Sequence, residues 1–233
     1  MGLLETAAAT LIGGERRIDT AARNVTNANT PGYKREVSYA QVTQSTDEPQ
    51  NFVRLIPEIS TTPLNRQGAL VETGNPLDLA INGSGMFLLR EGNGFVLSRG
   101  GQFTIGNGGT LIDANGRILQ QAGGGDLVLS SSRPTILTDG TVLDGDVPIG
   151  AVAMYEHQAA DSRTGTAIEP DFLVEAESSE IHQGMFERSN VVLSDEMIEL
   201  MRTQRQVESG AQLVRTYDQL MAQAISTFSR SGS

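Results

Sequence analysis

The chain has 233 residues, of which 38% are hydrophobic, and this length allows one or two domains. Its formal net charge of −11 argues against binding to nucleic acid through phosphate contacts. Cysteine is absent, which excludes disulfides and thiolate metal sites, and no apolar run is long enough to span a membrane.

The N-terminal residues have no basic segment followed by an apolar core, so we expect no cleavable secretory signal. Residues 3–28 are expected to form a helix in which large apolar residues recur every seven positions, each followed three positions later by a small residue. Such a stripe must be buried, either against another helix or against the helix's own domain. The large residues are Leu4, Leu11, Ile18 and Val25, and the small ones are Ala7, Gly14, Ala21 and Ala28.

A second seven-residue repeat predicts a helix over residues 190–228. Its second row is mixed, with Met197, Gln204, Ala211, Asp218 and Ile225, which favours a helix packed among several partly solvated neighbours. The two terminal helices are therefore expected to pair with each other or with the ends of other copies. The C-terminal candidates for this helix-assembly interface are Leu193, Met197, Leu200, Val207, Val214, Met221 and Phe228.

The part of the chain between the helices is expected to be β-structure. Asn-Gly and Gly-rich turns separate short apolar runs such as 86–90, 94–98, 102–105, 149–156 and 172–176, a pattern typical of an antiparallel meander. The predicted fold class is therefore α+β, with long terminal helices around a central, mainly antiparallel β-domain. The predicted divisions are an N-terminal helix at 1–32, an extended connector at 33–67, a β-rich domain at 68–185 and a C-terminal helix at 186–233.

The sequence carries no recognisable catalytic or cofactor-binding pattern. A cell-wall hydrolase would need a pair of carboxylates, and the best candidates are Glu175, Glu177 and Glu180. A solvated acidic edge is the simpler interpretation of these residues. His157 and His182 are not spaced to bind a metal from one helix or strand. We expect no catalytic residues, no metal and no cofactor. A secreted adhesin would explain the β-domain but not the two heptad repeats.

Segments along the whole chain resemble the rod and hook subunits of the bacterial flagellum. They are NVTNANTPGYKR at 24–35, GNPLDLAINGSGMF at 74–87, RGGQF at 99–103 with GTLID at 109–113, and QGMFERSNV at 183–191. The residues that carry the resemblance are Asn24, Asn27, Asn29, Thr30, Pro31, Gly32, Tyr33, Gly74, Pro76, Leu77, Asp78, Ser189, Asn190, Val191, Gln204 and Arg205.

This resemblance implies an axial subunit of the flagellar basal body. Its terminal helices would form the inner tube, and the subunit would leave through the flagellar type III export apparatus without cleavage. Its partners would be copies of itself and other rod proteins, with no nucleic acid and no membrane insertion. The length favours a proximal rod subunit, with a distal rod or hook-type subunit as the alternative, whereas a peptidoglycan-active enzyme is a remote one.

Overall fold

The protein is α+β, with one long helix near each end and short strands between them. The computed structural model describes residues 3–45, 54–131, 133–157, 167–168, 173–176 and 178–231. Helix α1 spans Leu3–Thr26 and helix α2 spans Leu193–Ser231. The predicted fold class is confirmed, and both helix positions agree with the heptad repeats to within a few residues.

The strands are short, and most have fewer than seven residues. They are β1 (Glu36–Ser45), β2 (Arg54–Pro63), β3 (Leu70–Glu72), β4 (Leu79–Asn82), β5 (Met86–Glu91), β6 (Gly94–Ser98), β7 (Thr104–Ile105), β8 (Leu111–Ile112), β9 (Ile118–Leu119), β10 (Thr135–Ile136), β11 (Thr141–Asp144), β12 (Val147–Ala151), β13 (Met154–His157), β14 (Ala167–Ile168), β15 (Leu173–Glu175), β16 (Glu180–Gln183) and β17 (Met185–Glu187).

The chain divides into two compact units. The helical unit contains residues 1–25, 36–61 and 192–233, and the β unit contains residues 26–35 and 62–191. In the helical unit, β1 and β2 pair with each other. This pairing lies in the segment expected to be a connector and was not predicted, because the segment lacks the short Asn-Gly turn that identifies a tight hairpin.

The β unit is built around strand β5. This strand pairs antiparallel with β6, β9 and β13, and the same sheet continues through β8 to β7. A smaller sheet has the order β10-β11-β12. The late strands β16 and β17 return to pair antiparallel with the early strands β4 and β3.

Strand β5 contributes to two hydrophobic clusters because successive side chains of a strand point to opposite faces. Phe87 and Leu89 belong to the main core, while Met86 and Leu88 belong to a smaller cluster. In the main core, the rings of Phe87 and Phe103 meet edge to face with centroids 5.5 Å apart. The other buried members of the main core are Leu79, Ile81, Val96, Leu111, Leu119, Leu127, Leu129, Ile136, Val142, Val152 and Ile181.

Some strands are shorter than the sequence patterns predicted. The run expected at 149–156 is split into β12 and β13 between Ala151 and Met154. The reason is that the amides of Val152 and Ala153 donate to the carbonyls of Gly140 and Gln120, which turns the backbone out of the strand. The run at 86–90 and the run at 94–98 do form strands, as β5 and β6.

Candidate functional site: the helix pair and the polar contacts of the termini

In the helical unit, α1 and α2 pack antiparallel. A Cβ on Gly210 would lie 3.5 Å from Leu11 Cδ2, and one on Gly14 would lie 2.3 Å from Val207 Cγ2. Further along, the Asn24 side chain donates to Glu196. Contacts therefore move towards the start of α2 as they move towards the end of α1, which is the antiparallel arrangement.

The buried positions of this seam are small or polar. On α1 they include Ala7, Gly14 and Ala21, which are the small residues of the predicted repeat. On α2 the buried row is Glu196, Thr203 and Gly210, one residue earlier than the second row considered in the sequence. Small residues let two helix backbones approach closely, and Val207 fills the space over Gly14. A side chain at Gly14 would clash with that contact.

The C-terminal part of α2 extends beyond the start of α1. Because Leu11 lies against Gly210 and both helices rise by the same amount per residue, roughly the last 13 residues of α2 lie past Leu3. All the described side chains from Asp218 to Ser226 are exposed, including Leu220, Met221 and Ile225. A second exposed apolar stripe lies near the start of α2, where Leu193, Met197 and Met201 are four residues apart.

Asn24, the first residue of the N-terminal motif, holds parts of the helical unit together. Its side-chain amide donates to the Glu36 carbonyl at 2.8 Å and to Glu196 Oε2 at 3.1 Å, and its Oδ1 accepts from the Glu36 amide at 2.8 Å. Asn24 and Glu196 are each only 1% exposed. This one side chain therefore connects α1, β1 and α2.

The rest of the N-terminal motif forms a tight loop in the β unit. Gly32 has a φ of +70°, and a Cβ there would lie 2.2 Å from the backbone of Arg99 and Gly100. Its amide donates to the Glu187 carbonyl at 2.7 Å. Only glycine satisfies both the left-handed conformation and this close approach, which explains the glycine of the motif.

Glu187 forms a buried ionic cluster with Lys34 and Arg99. Glu187 Oε1 accepts from Lys34 Nζ at 2.5 Å, and Oε2 accepts from Arg99 NH1 at 3.2 Å. All three side chains are at most 5% exposed. Burial lowers the pKa of Lys34 and of Arg99, and the Glu187 carboxylate opposes both shifts. The Arg66 carbonyl also accepts from Lys34, and the Ile81 and Gly83 carbonyls accept from Arg99.

Asn190 is a second connecting residue of the C-terminal motif. Its amide donates to the carbonyls of Leu64 at 2.8 Å and Arg66 at 2.7 Å, and its Oδ1 accepts from the Arg35 amide at 2.6 Å. Every buried side-chain nitrogen or oxygen in the described part of the chain has a hydrogen-bond partner. The buried polar side chains of the motifs are thus satisfied within the fold.

The surface of the β unit near these motifs has an open cleft of about 340 Å³. Its lining combines apolar and polar groups: Ala28, Asn29, Val71, Phe186, Arg188 and Ser189. In the parts of the chain that the structure describes, no three His, Cys, Asp or Glu side chains are grouped to hold a metal ion. None of the described helices is both long and apolar enough to cross a membrane.

The predicted interface residues occupy different environments. Leu11 and Val207 lie in the helix seam, and Ile18, Val25, Leu200 and Val214 are half-buried. Leu193, Met197 and Met221 are exposed. The side chains of Leu4 and Phe228 lie outside the described part of the chain. As a set, the predicted assembly interface stays a prediction.

The other residues of the predicted motifs lie mainly in turns. Thr30 donates to the Asn27 side chain, Asp78 accepts from Thr73 and Asn75, and the Pro76 carbonyl accepts from Gln183. Gly74 has a φ of +71°, Leu77 packs against the main core, and Ser189 accepts from the Val191 amide. Pro31 and Tyr33 are half-buried in the loop, and Gln204 and Arg205 are exposed on α2.

The acidic residues considered as catalytic candidates are solvated where they are described. Glu175 in β15 and Glu180 in β16 are exposed, and His182 lies 3.9 Å from Glu180. Glu177 and the side chain of His157 lie outside the described residues. The sequence analysis missed Lys34, Arg99 and Glu187 as a cluster. Charged residues in turn-rich segments normally indicate a solvated surface. Only contacts between residues far apart in the sequence show that these three are buried.

Comparisons with known proteins agree with this arrangement. A family model described as "Flagella basal body rod protein" matches residues 4–34, and one described as "Flagellar basal body rod FlgEFG protein C-terminal" matches residues 182–227. The first range covers nearly all of α1 and the loop after it, and the second covers the end of β16, all of β17 and most of α2.

Full-length relatives extend the match to the β unit. The chain is 31% identical over 223 residues to the flagellar basal-body rod protein FlgF of Mesorhizobium japonicum, covering 91% of this chain and 92% of the relative. The chain belongs to the flagellar basal-body rod protein family. Another member of the rod family, FlgF of Caulobacter vibrioides, is 29% identical over 90% of this chain and 91% of its own length. The rod protein FlgG of Agrobacterium fabrum matches over a shorter part, 40% of this chain and 42% of that protein.

Proposed function

We propose that the chain is a structural subunit of the proximal rod of the bacterial flagellum, which assembles with copies of itself and with other rod proteins and transmits torque. The FlgF relatives match over about nine tenths of both chains, whereas the FlgG relative matches over less than half of each. This difference favours a proximal over a distal rod subunit. The proposed location is the flagellar basal body, reached through the flagellar export apparatus without signal cleavage.

The observation that carries the assembly proposal is the uncovered C-terminal part of α2. Its apolar residues continue the seam that α1 covers further back: Val207 and Val214 are half-buried, while Met221, on the same seven-residue repeat, is exposed. Covering such exposed apolar residues with a neighbouring helix removes apolar surface from water, which is favourable in free energy. Helices of neighbouring subunits are the occupants that this proposal assigns to the stripe.

We propose that the chain works without catalysis and without a cofactor. The exposure of Glu175 and Glu180 supports this, because the general acid of a glycosidase works beside a second carboxyl group in a site shaped around the sugar. The polar residues of the family motifs form hydrogen bonds within the fold, which supports a structural role for them.

The experiment compares two similarly exposed β-branched apolar residues, one in each unit. Ile225 is 66% exposed on α2 and Val147 is 63% exposed at the start of β12. In a strain that has only the variant subunit, Ile225→Asp should abolish swimming and remove the subunit from isolated basal bodies. Val147→Asp should leave both nearly unchanged. The free energy of unfolding of each purified variant should lie within about 0.5 kcal/mol of that of the wild type, because both sites are on the surface.

Normal swimming with Ile225→Asp would contradict the proposed assembly surface. Loss of swimming with both variants, despite unchanged stability of the purified chains, would instead assign assembly to the β unit as well.

A further inference from the structure

One segment near the end of the β unit pairs with strands that lie far earlier in the chain. We name residues 180–191 the clasp segment; it contains β16, β17 and the loop that follows. Strand β16 pairs antiparallel with β4, and β17 pairs antiparallel with β3. Its partners in both cases lie more than 90 residues earlier in the chain, so no local folding event supplies them.

The clasp segment also completes the hydrophobic core. Ile181 is 1% exposed and belongs to the main core cluster, where the early residues Leu79 and Ile81 also lie. Without β16, these residues of β4 would lose both a strand partner and a covering side chain. The core of the β unit is therefore closed by a segment from the last quarter of the chain.

Three polar side chains of the clasp segment each connect three distant groups. Gln183 donates to the carbonyls of Pro76 at 2.8 Å and Pro134 at 2.7 Å, and accepts from the Ile136 amide at 3.2 Å. Glu187 joins Lys34, Arg99 and the Gly68 amide, and Asn190 joins the backbone of Arg35, Leu64 and Arg66. The Gly68 contact is 2.7 Å long.

The physical consequence follows from the two cations. Lys34 and Arg99 are buried, and Glu187 is the carboxylate bonded to both. A buried charge without its partner is strongly unfavourable, and buried backbone groups without hydrogen bonds add to the cost. A compact β unit that lacks a docked clasp segment would contain both defects at once. The closed state is thus disfavoured until the clasp segment docks.

We propose that the clasp segment is a strap that controls completion of the β unit: the earlier strands remain open until residues 180–191 dock, and then the whole unit closes cooperatively. The use of this device rests on the proposed function, since a subunit that passes through an export apparatus would gain from remaining open until its last part is available. The cooperative closing itself is a property of the single chain and can be measured without assembly.

The test uses purified full-length protein and hydrogen exchange of its backbone amides. The variants are Glu187→Gln and the milder Asn190→Ala, with Glu91→Gln, at the exposed last residue of β5, as a matched control. The strap predicts that amides in β5 and β6, which do not pair with the clasp segment, lose protection by the same factor as amides in β16 and β17. For Glu187→Gln this factor should be at least about a hundredfold, because removing one member of a buried pair is strongly destabilising.

Loss of protection confined to β16 and β17, with β5 and β6 unchanged, would overturn the proposal. If Glu187→Gln does not fold, Asn190→Ala decides by the same criterion. In pulse-labelled refolding of the wild type, β5 and β6 should become protected in the same kinetic phase as β16 and β17, and an earlier stable phase for β5 and β6 would overturn it. Because these measurements use the purified, unassembled chain, their outcome is independent of whether it assembles into a rod.

Discussion

The helical unit and the β unit use their large apolar residues in opposite ways. The β unit buries Phe87, Phe103 and a set of Leu, Ile and Val side chains almost completely in its own core. In the helical unit the buried positions include Ala7, Gly14 and Gly210, while large residues such as Met197 and Ile225 are exposed. The β unit buries its large apolar residues in its own core, and under the proposed function the exposed ones of the helical unit are covered by neighbouring subunits.

Removing one large apolar side chain from each unit should have very different effects on stability. Phe87→Ala should destabilise the purified chain by about 3–5 kcal/mol, because it leaves a cavity in a close-packed core. Leu220→Ala, at a position 60% exposed, should change stability by no more than about 0.5 kcal/mol. Urea unfolding of the monomer measures both changes. Similar losses for the two variants would show that α2 is packed within the free subunit, contrary to this comparison.

The helix seam gives a smaller effect. Gly14→Leu should destabilise the α1–α2 pairing by about 1–3 kcal/mol, because the new side chain would overlap Val207. The helix propensity of leucine is higher than that of glycine, so a loss of helical circular dichroism could not result from the residue's intrinsic preference.

Ala8→Leu is the matched control for this prediction, since Ala8 is exposed on the same helix. It should retain the helical signal of the wild type. Equal melting temperatures of the helical signal in the two variants would argue that Gly14 is not in close contact with α2.

The sequence predicted the elements that depend on short-range patterns. The heptad repeats identified both helices, and the Gly and Asn-Gly turns identified β5 and β6. The small residues Ala7, Gly14 and Ala21 were recognised as seam positions, and all three are buried. These features depend on residues close together in the sequence, so the sequence alone is enough to predict them.

Features that depend on distant contacts could not be predicted in the same way. The pairing of β17 with β3 joins residues more than 100 positions apart, and a short run such as 185–187 has no periodicity of its own. Lys, Arg and Glu are usually exposed, so nothing in the sequence indicates that Lys34, Arg99 and Glu187 are buried together. The row Glu196, Thr203 and Gly210 was missed because a glutamate that hydrogen-bonds a buried asparagine does not resemble a seam residue.

The central claim is tested most directly by thiol labelling of a Met221→Cys variant in the free subunit and in assembled basal bodies. The chain has no cysteine, so a single introduced thiol gives an unambiguous signal. Met221→Cys should react readily in the purified subunit, where the position is 46% exposed, and should be protected in isolated basal bodies. Val147→Cys serves as a reference for labelling of the β unit. If Met221→Cys reacted in basal bodies as fast as in the free subunit, the uncovered part of α2 would not be an assembly surface and the account would be wrong.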